Sequence, residues 1–308
     1  MKSFLITVDT EGDNLWCWRP GEDITTENAN YIPRFQELCE KYGFKPVYLT
    51  NYEMALDDRW TKYSVQKAHE GKCEIGMHLH AWNTPPKYEL ENRFGGNPYI
   101  TEYPCEIMEQ KTATMMNLLQ QRYELPIVSH RSGRWATNNA YFEILAGQGI
   151  RIDCSVTPQL DLSRLPGCSQ NCGSDYRKVR NGVYKIHPNI LEVPMTTRRI
   201  RSCRSGSVKH RIKTLFKGEE LWLRPIRHSV APMKELTEKV IREGEGDYLE
   251  FMVHSSELMP GGSVFFKDRE SVELLYKIMD NYFAYVSELG YFGQTLQEFV
   301  AARNVENA

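Results

Sequence analysis

Seven short apolar runs recur along the chain: FLITV, PVYLT, CEIGM, PIVSH, IRIDCS, NILEV and YLEFMV. Runs of this length, bounded by polar or turn-forming residues, predict β-strands. The first two are separated by NANYIPRFQELCEKYG, which places Ile32, Phe35, Leu38, Cys39 and Tyr42 on one helical face and ends on Gly43, a helix stop. The same periodicity predicts helices over 61–70, 105–122, 137–148, 232–243 and 268–288. Strands alternating with helices predict a parallel sheet with helices outside it, either open or closed into a barrel.

The rhythm breaks between 156 and 230. There DLSRLPGCSQNCGSDYRKVRNG is followed, after NILEV, by the basic run RRIRSCRSGSVKHRIKTLFKGEELWLRPIR. Ten lysines and arginines fall between Arg198 and Arg227 against only Glu219 and Glu220, so the overall charge of −2 conceals a local positive surface. Leu215, Phe216, Leu221, Trp222 and Leu223 interrupt the run and need somewhere to pack, unlike the residues of a flexible polar tail. The pattern is that of one domain over 1–308 with an elaborated basic insertion at about 156–230.

With 308 residues and 41% hydrophobic content, the chain can bury a sizeable core. Its near-neutral charge gives no general attraction to nucleic acid, and no apolar stretch approaches the roughly 18 residues of a membrane-spanning helix. The opening MKSFLITVDTEGD runs straight into an apolar strand without the pattern of a secretory signal, so a cytoplasmic protein is expected. The eight cysteines are scattered, at 17, 39, 73, 105, 154, 168, 172 and 203, and are expected to be reduced thiols. Cys168 and Cys172 stand close together in GCSQNCGS, but no matching second pair follows at zinc-ribbon spacing.

Polar groups collect where the apolar strands end. Asp9 and Glu11 follow FLITV, His78 and His80 follow CEIGM, Arg131 follows PIVSH, Asp153 closes IRID and His254 ends YLEFMV. In a parallel barrel such ends converge on one face, whereas an open sheet uses mainly the strands at its switch point, so five contributing strands favour a closed or nearly closed barrel. Residues i and i+2 of a strand share a side, so His78 and His80 can turn two imidazoles to one ion, and Asp9 and Glu11 two carboxylates to one pocket. Carboxylates buried at the end of so apolar a strand need a cation or donors, which a metal and Arg131 would supply. His254 lies far from the other histidines in sequence but at an equivalent strand end. If Asp153 accepts from one of its ring nitrogens, that contact fixes the tautomer and raises the imidazole pKa toward that of a general acid.

In this order, the stretches resemble the five motifs of the polysaccharide deacetylases of carbohydrate esterase family four, the NodB-homology fold. VDTEGD resembles the first motif in its branch with a residue inserted between the acids, which implies Asp9 as catalytic base and Glu11 as metal ligand. EIGMHLH resembles the second, histidine motif. HRSGRW resembles the third, implying that Arg131 orients the base and Trp135 walls the groove. DCSVTP resembles the fourth, with Asp153 partnering the catalytic histidine, and MVHSSEL the fifth, with His254 as that histidine. HLHAWNTPP, SGRWATN and HSSEL together are most similar to the WalW- and WbmS-like branch associated with surface-polysaccharide loci. The likeness spans about residues 3–258. The usual second motif has histidines four apart, and that spacing from His78 lands on Trp82, so either His80 takes over as ligand or water completes the shell. A glutamate, Glu11, stands where most members carry aspartate.

The resemblance implies a distorted, seven-stranded (β/α) barrel and a metal-dependent deacetylase that hydrolyses the N-acetyl amide of an amino sugar, in O-antigen or capsule-type biosynthesis. Glu11, His78 and His80 would hold one divalent transition metal, zinc first, with cobalt, nickel, manganese or iron also suited to the donor set. Trp82 and Trp135 would line the substrate groove. A glycan met before export carries a nucleotide- or lipid-linked diphosphate, which Arg224 and Arg227 in WLRPIR are expected to grip through their planar forks. The alternatives are a hydrolase of another C–N bond, a carbohydrate-binding homologue without catalysis, and a non-haem iron oxygenase, which would leave Asp9 and His254 without roles. Oligomeric state is left open.

Overall fold

The computed structural model describes residues 2–15, 17–19, 21–170, 173–200, 218–226 and 228–303. Arg227, Cys172, Cys203 and the centre of the basic run, 201–217, lie outside the described residues.

In chain order the strands are β1 (Lys2–Thr10), β2 (Pro46–Thr50), β3 (Glu74–Leu79), β4 (Ser129–Ser132), β5 (Ile152–Asp153), β6 (Tyr184–His187), β7 (Ile190–Glu192), β8 (Thr197–Ile200), β9 (Glu219–Trp222), β10 (Tyr248–His254) and β11 (Tyr291–Gly293). All seven apolar runs are among them, and they form one parallel series in the order β10-β1-β2-β3-β4-β5-β7. The sheet curls into a distorted (β/α) barrel flanked by helices. Between β7 and β10 single hydrogen bonds replace a ladder: Leu223 N–H donates to Thr196 O at 3.0 Å, and Met252 N–H to Leu223 O at 3.0 Å. β8 and β9 form an antiparallel hairpin within the insertion that the sequence pattern does not mark.

Helices α1 (Ile32–Lys41), α2 (Tyr52–Leu56), α3 (Asp58–His69), α4 (Cys105–Tyr123), α5 (Asn139–Gly147), α6 (Ala231–Arg242), α7 (Arg269–Glu288) and α8 (Leu296–Ala302) connect or cap the strands. Their starts follow ordinary capping chemistry. The Asp57 carboxylate accepts from the N–H groups of Arg59 and Trp60 at the head of α3, and Asp268 accepts from Ser271 N at the head of α7. α1 buries Ile32, Phe35 and Cys39, and the chain turns away through Gly43 at φ +70°, a conformation that favours glycine.

Strand alternation divides the barrel wall. Phe4, Ile6 and Val8 of β1 join Phe35, Phe251, Tyr282 and Phe283 in the large core beneath the helices. Leu5, on the other face, packs with Val47, Leu49, Ile152, Val193, Leu296 and Phe299, so α8 plugs the lower end of the barrel. Further along the same face of β1 come Thr7 and then Asp9. The interior therefore grades from apolar at the bottom to polar at the carboxyl ends of the strands, where Asp9, His78, His80 and His254 are all buried. Among the described residues no helix is long and apolar enough to cross a membrane.

Candidate active site

Strand register brings the polar residues together. Asp9 pairs with His254 across β1–β10, and His78 with Arg131 across β3–β4. Glu11, just past β1, is held by its backbone: its N–H donates to Ser255 Oγ at 3.0 Å, and Asn28 Nδ2 donates to its carbonyl at 2.7 Å. Its carboxylate Oε2 then lies 2.8 Å from His80 Nε2 and 3.5 Å from His78 Nε2.

Among the described residues Glu11, His78 and His80 form the one group of metal-type donors, with ligand atoms all within 4.8 Å of one another. His78 Nδ1 is 2.9 Å from the Arg131 carbonyl and must donate to it, which turns the lone pair of Nε2 toward Glu11. Two imidazoles and a carboxylate, all buried, fit a divalent transition metal. Burial pushes the Glu11 carboxyl up, but its contacts with the imidazoles of His78 and His80 prevail and hold it well below the usual range. Burial lowers the affinity of both rings for a proton. For His78, Asp9 and Glu11 outweigh that effect and raise its pKa, whereas His80 stays lowered.

The loop carrying the second histidine is clamped from two sides. Buried Lys111 donates to the carbonyls of Thr84 at 2.6 Å and Pro86 at 2.5 Å, pinning the TPP turn, and burial brings its pKa down to about 8. Gly133 packs against His80 so closely that a Cβ there would stand 2.5 Å from Leu79 O and 2.9 Å from His80 Nδ1.

Arg131 is fully buried and spans the barrel interior. It donates to Asp9 Oδ1 at 2.6 Å, Thr7 Oγ1 at 2.9 Å, Glu250 Oε1 at 2.5 Å and the Cys154 carbonyl at 3.0 Å, and the ring of Trp135 lies 4.7 Å from its guanidinium. Burial pushes the Asp9 carboxyl up, yet Arg131, then His78 and His254, outweigh it and keep Asp9 below the usual carboxylate range. Burial carries Glu250 up to about 7 despite Arg131. Sequence reasoning missed Glu250, although one signal was present: it is the lone acid in YLEFMV, an even number of residues before His254 and so on the same face.

His254 points Nε2 at the same space, 3.7 Å from Asp9 Oδ2 and 3.9 Å from Glu11 Oε1. Its expected partner is elsewhere. Asp153 lies opposite His130 in the β4–β5 register, and Oδ2 meets His130 Nδ1 at 2.6 Å while Ser155 donates to both carboxylate oxygens at 3.0 Å. Both oxygens of Asp153 are thus taken up beside β4, by His130 and Ser155. The carboxylate near the His254 ring is instead that of Glu257, one turn further on. Its Oε2 accepts the His254 backbone N–H at 2.9 Å and lies 3.6 Å from Nδ1.

Arg224 also departs from expectation. Instead of presenting a free fork beside the mouth, it is held by buried Glu257 at 2.8 Å and by His254 Nδ1 at 3.1 Å. Leu223, which precedes it, is tied to Thr196 and Met252 by the bonds that close the barrel, and these draw the side chain inward. Arg227, its companion in that expectation, lies outside the described residues.

A cavity of about 300 Å³ opens over these groups, lined by Asp9, Glu11, His78, His80, His254 and both expected tryptophans. Trp82 meets His80 edge-on at 4.3 Å between ring centres and is no ligand. Trp135 sits at φ +62°, and Trp222 of β9 braces it edge-on at 5.2 Å. Leu15, Asn97 and Arg134 complete the lining. None of these three lies at the end of an apolar run. Arg134 bonds the carbonyls of Asn97 and Pro166, joining two rim loops.

No protein-family model and no curated protein sequence matches the chain. Solved structures do. The branching enzyme TK1436 of glycoside hydrolase family 57 from Thermococcus kodakaraensis covers all of this chain with 71% of its own, at 11% identity and a TM-score of 0.56. A polysaccharide deacetylase from Mycobacterium smegmatis matches at 13% identity and a TM-score of 0.47, over 96% of this chain and 94% of its own. A polysaccharide deacetylase involved in O-antigen biosynthesis, from Bordetella bronchiseptica, matches over 62% of this chain and 56% of its own, at 11% identity and a TM-score of 0.34. The chain resembles polysaccharide deacetylases. The likeness to the branching enzyme shows a shared fold, and chemistry has to be argued from the site.

Proposed function

We propose that this chain is a metal-dependent deacetylase that hydrolyses the N-acetyl amide of an amino sugar. The observation that carries the reading is one cavity in which three buried metal-type donors, Glu11, His78 and His80, face a carboxylate, Asp9, and an imidazole, His254. A bound divalent ion, zinc first, would supply the Lewis-acid charge that polarises an acyl carbonyl and acidifies water. The residues of the chain do the rest. Arg131 occupies Asp9 Oδ1 and leaves Oδ2 toward the cavity, oriented to take a proton from the attacking water. His254 offers Nε2 beside it, 3.7 Å from Asp9 Oδ2, to serve the departing nitrogen. The C–N bond breaks as water adds, giving acetate and a free amine. Trp82 and Trp135 present aromatic surface on which a sugar ring can lie, in a cavity whose volume suits one residue of a glycan.

The ordered resemblance of VDTEGD, EIGMHLH, HRSGRW and MVHSSEL to the deacetylase motifs supports the same reading. Motif four contributes differently here, because Asp153 is engaged with His130. The test has two stages: elemental analysis of the purified protein, then acetate release from a panel of N-acetylated sugars before and after zinc loading. Stoichiometric metal and zinc-dependent acetate release are expected. A protein that binds no transition metal and releases no acetate would overturn the assignment.

A further inference from the structure

The Nδ1 side of His254 carries an arrangement that the deacetylase reading does not require. A guanidinium has five N–H donors and no acceptor. Arg224 Nη2 lies 3.1 Å from His254 Nδ1, so Nδ1 offers a lone pair there and the ring proton sits on Nε2, the nitrogen that faces Asp9 and Glu11. The same Nη2 donates to Glu257 Oε1 at 2.8 Å. The second oxygen of Glu257, Oε2, takes the His254 backbone N–H at 2.9 Å and stands 3.6 Å from Nδ1, beyond hydrogen-bond distance. His254 and Glu257 are buried and Arg224 is half-buried, fixed through Leu223, whose N–H and carbonyl bond Thr196 and Met252.

We propose that Arg224, paired with Glu257, is a positioning residue that fixes His254 as a neutral imidazole with its proton on Nε2, aimed into the cavity. It deepens the deacetylase reading and rests on His254 serving the departing nitrogen. A neutral ring that surrendered its Nε2 proton would be left as an imidazolate, so His254 acts by hydrogen bonding to the departing nitrogen. The proton delivered to the amine is then the one Asp9 took from water. Water supplies one O–H to Asp9 and its oxygen to the acyl carbon, the C–N bond breaks, and Asp9 returns its proton to nitrogen. The basic insertion thereby reaches the chemistry through β9 and the residues that follow it.

The tautomer can be read without turnover. Multiple-bond ¹H–¹⁵N spectra of histidine-labelled protein, metal-free and zinc-loaded, are recorded at the pH used for acetate release, with the His254 signals assigned by their loss in His254→Gln. The expected wild-type result is an unprotonated Nδ1 and a protonated Nε2. In Arg224→Met the Glu257 carboxylate, with Oε2 3.6 Å from Nδ1, should draw the proton to Nδ1. On an N-acetylglucosamine oligomer, that variant should lose about 10- to 100-fold in kcat with KM little changed, the range typical of groups that orient a reacting side chain. A protonated Nδ1 in the wild type overturns the proposal, as does an unaltered tautomer in Arg224→Met. Should Arg224→Met fail to fold, Glu257→Gln with Arg224 intact should keep Nδ1 bare, and its protonation there would also count against the proposal. Failure of the wild type to release acetate would sink the deacetylase reading while leaving the tautomer result standing.

Discussion

Gly133 lies against the ring of His80, and this contact explains how a histidine two residues after His78 can sit in a ligand position. A Cβ at 133 would stand 2.5 Å from the Leu79 carbonyl and 2.9 Å from His80 Nδ1. Neither atom is the free end of a flexible chain. Gly133→Ala should therefore displace His80 and weaken zinc binding by about 10- to 100-fold, the usual cost of disturbing the groups around a ligand. Overpacking should also destabilise the fold by roughly 1–3 kcal/mol. Chelator competition and thermal melting check both, and unchanged zinc affinity would show that the contact is slack.

The third ligand can be tested by exchanging candidates. His80 Nε2 is 2.8 Å from Glu11 Oε2, while Trp82 only abuts the His80 ring. His80→Ala should lose bound metal, and Trp82→Ala should retain it and weaken substrate binding instead. Equal metal content in the two variants would mean that the shell has been misassigned. Since both imidazoles must be unprotonated to bind, affinity should fall in acid.

Asp9→Asn should remove most turnover, about 10² to 10⁴ in rate, without unfolding the protein. The structural reason is Glu250. Arg131 donates to both carboxylates, so loss of charge at Asp9 leaves the buried guanidinium compensated by Glu250 at 2.5 Å. Arg131→Met is a different case, because it leaves two buried acids without their cation, and breaking such a network costs about 3–5 kcal/mol. Urea unfolding should separate the two variants clearly. Comparable destabilisation would mean that Glu250 does not carry the charge of Arg131.

Much of this was legible in the sequence, for a physical reason. The seven runs that became the parallel wall are continuous apolar stretches, as strands covered on both faces must be, and the polar residues of the site gather at their carboxyl ends. That placed Asp9, Glu11, His78, His80, Arg131 and His254 on one face before any coordinates. What failed was pairing across the wall. Asp153 and His254 are both strand-end residues, but strand order alone decides that Asp153 meets His130. Local polarity carries no information about that order. The hairpin of β8 and β9 was hidden by its charge: Arg198 looked like part of a solvated run, yet it is buried and bonds Glu243 at 2.7 Å. Arg224 misled for the same reason, since a cation in a basic stretch reads as surface until the acid opposite it is seen.

Acid should reveal the pair behind His254. Burial acts to raise the Glu257 pKa, but Arg224, aided by the His254 backbone N–H, outweighs it and holds it at about 2, against an ordinary 4.5. The folded pKa is therefore the lower one, and between the two values the unfolded chain binds more protons. Stability from this group is present in full above the ordinary value and is lost as pH falls through the folded one. A gap of that size corresponds to ~3 kcal/mol. Asp9, also lowered, acts in the same direction. Glu250 opposes them: its raised pKa makes the folded state bind more protons between 4.5 and about 7, so its contribution declines as pH rises through that window. Glu257→Gln isolates one part of this balance. At neutral pH the variant should be the less stable protein, because half-buried Arg224 loses its carboxylate partner. As pH falls, the wild type should lose stability faster, and the two curves should converge in strong acid. Unfolding free energies measured across the acid range decide the matter, and curves that stay parallel would show that Glu257 is not the ionised partner of Arg224 in the folded protein.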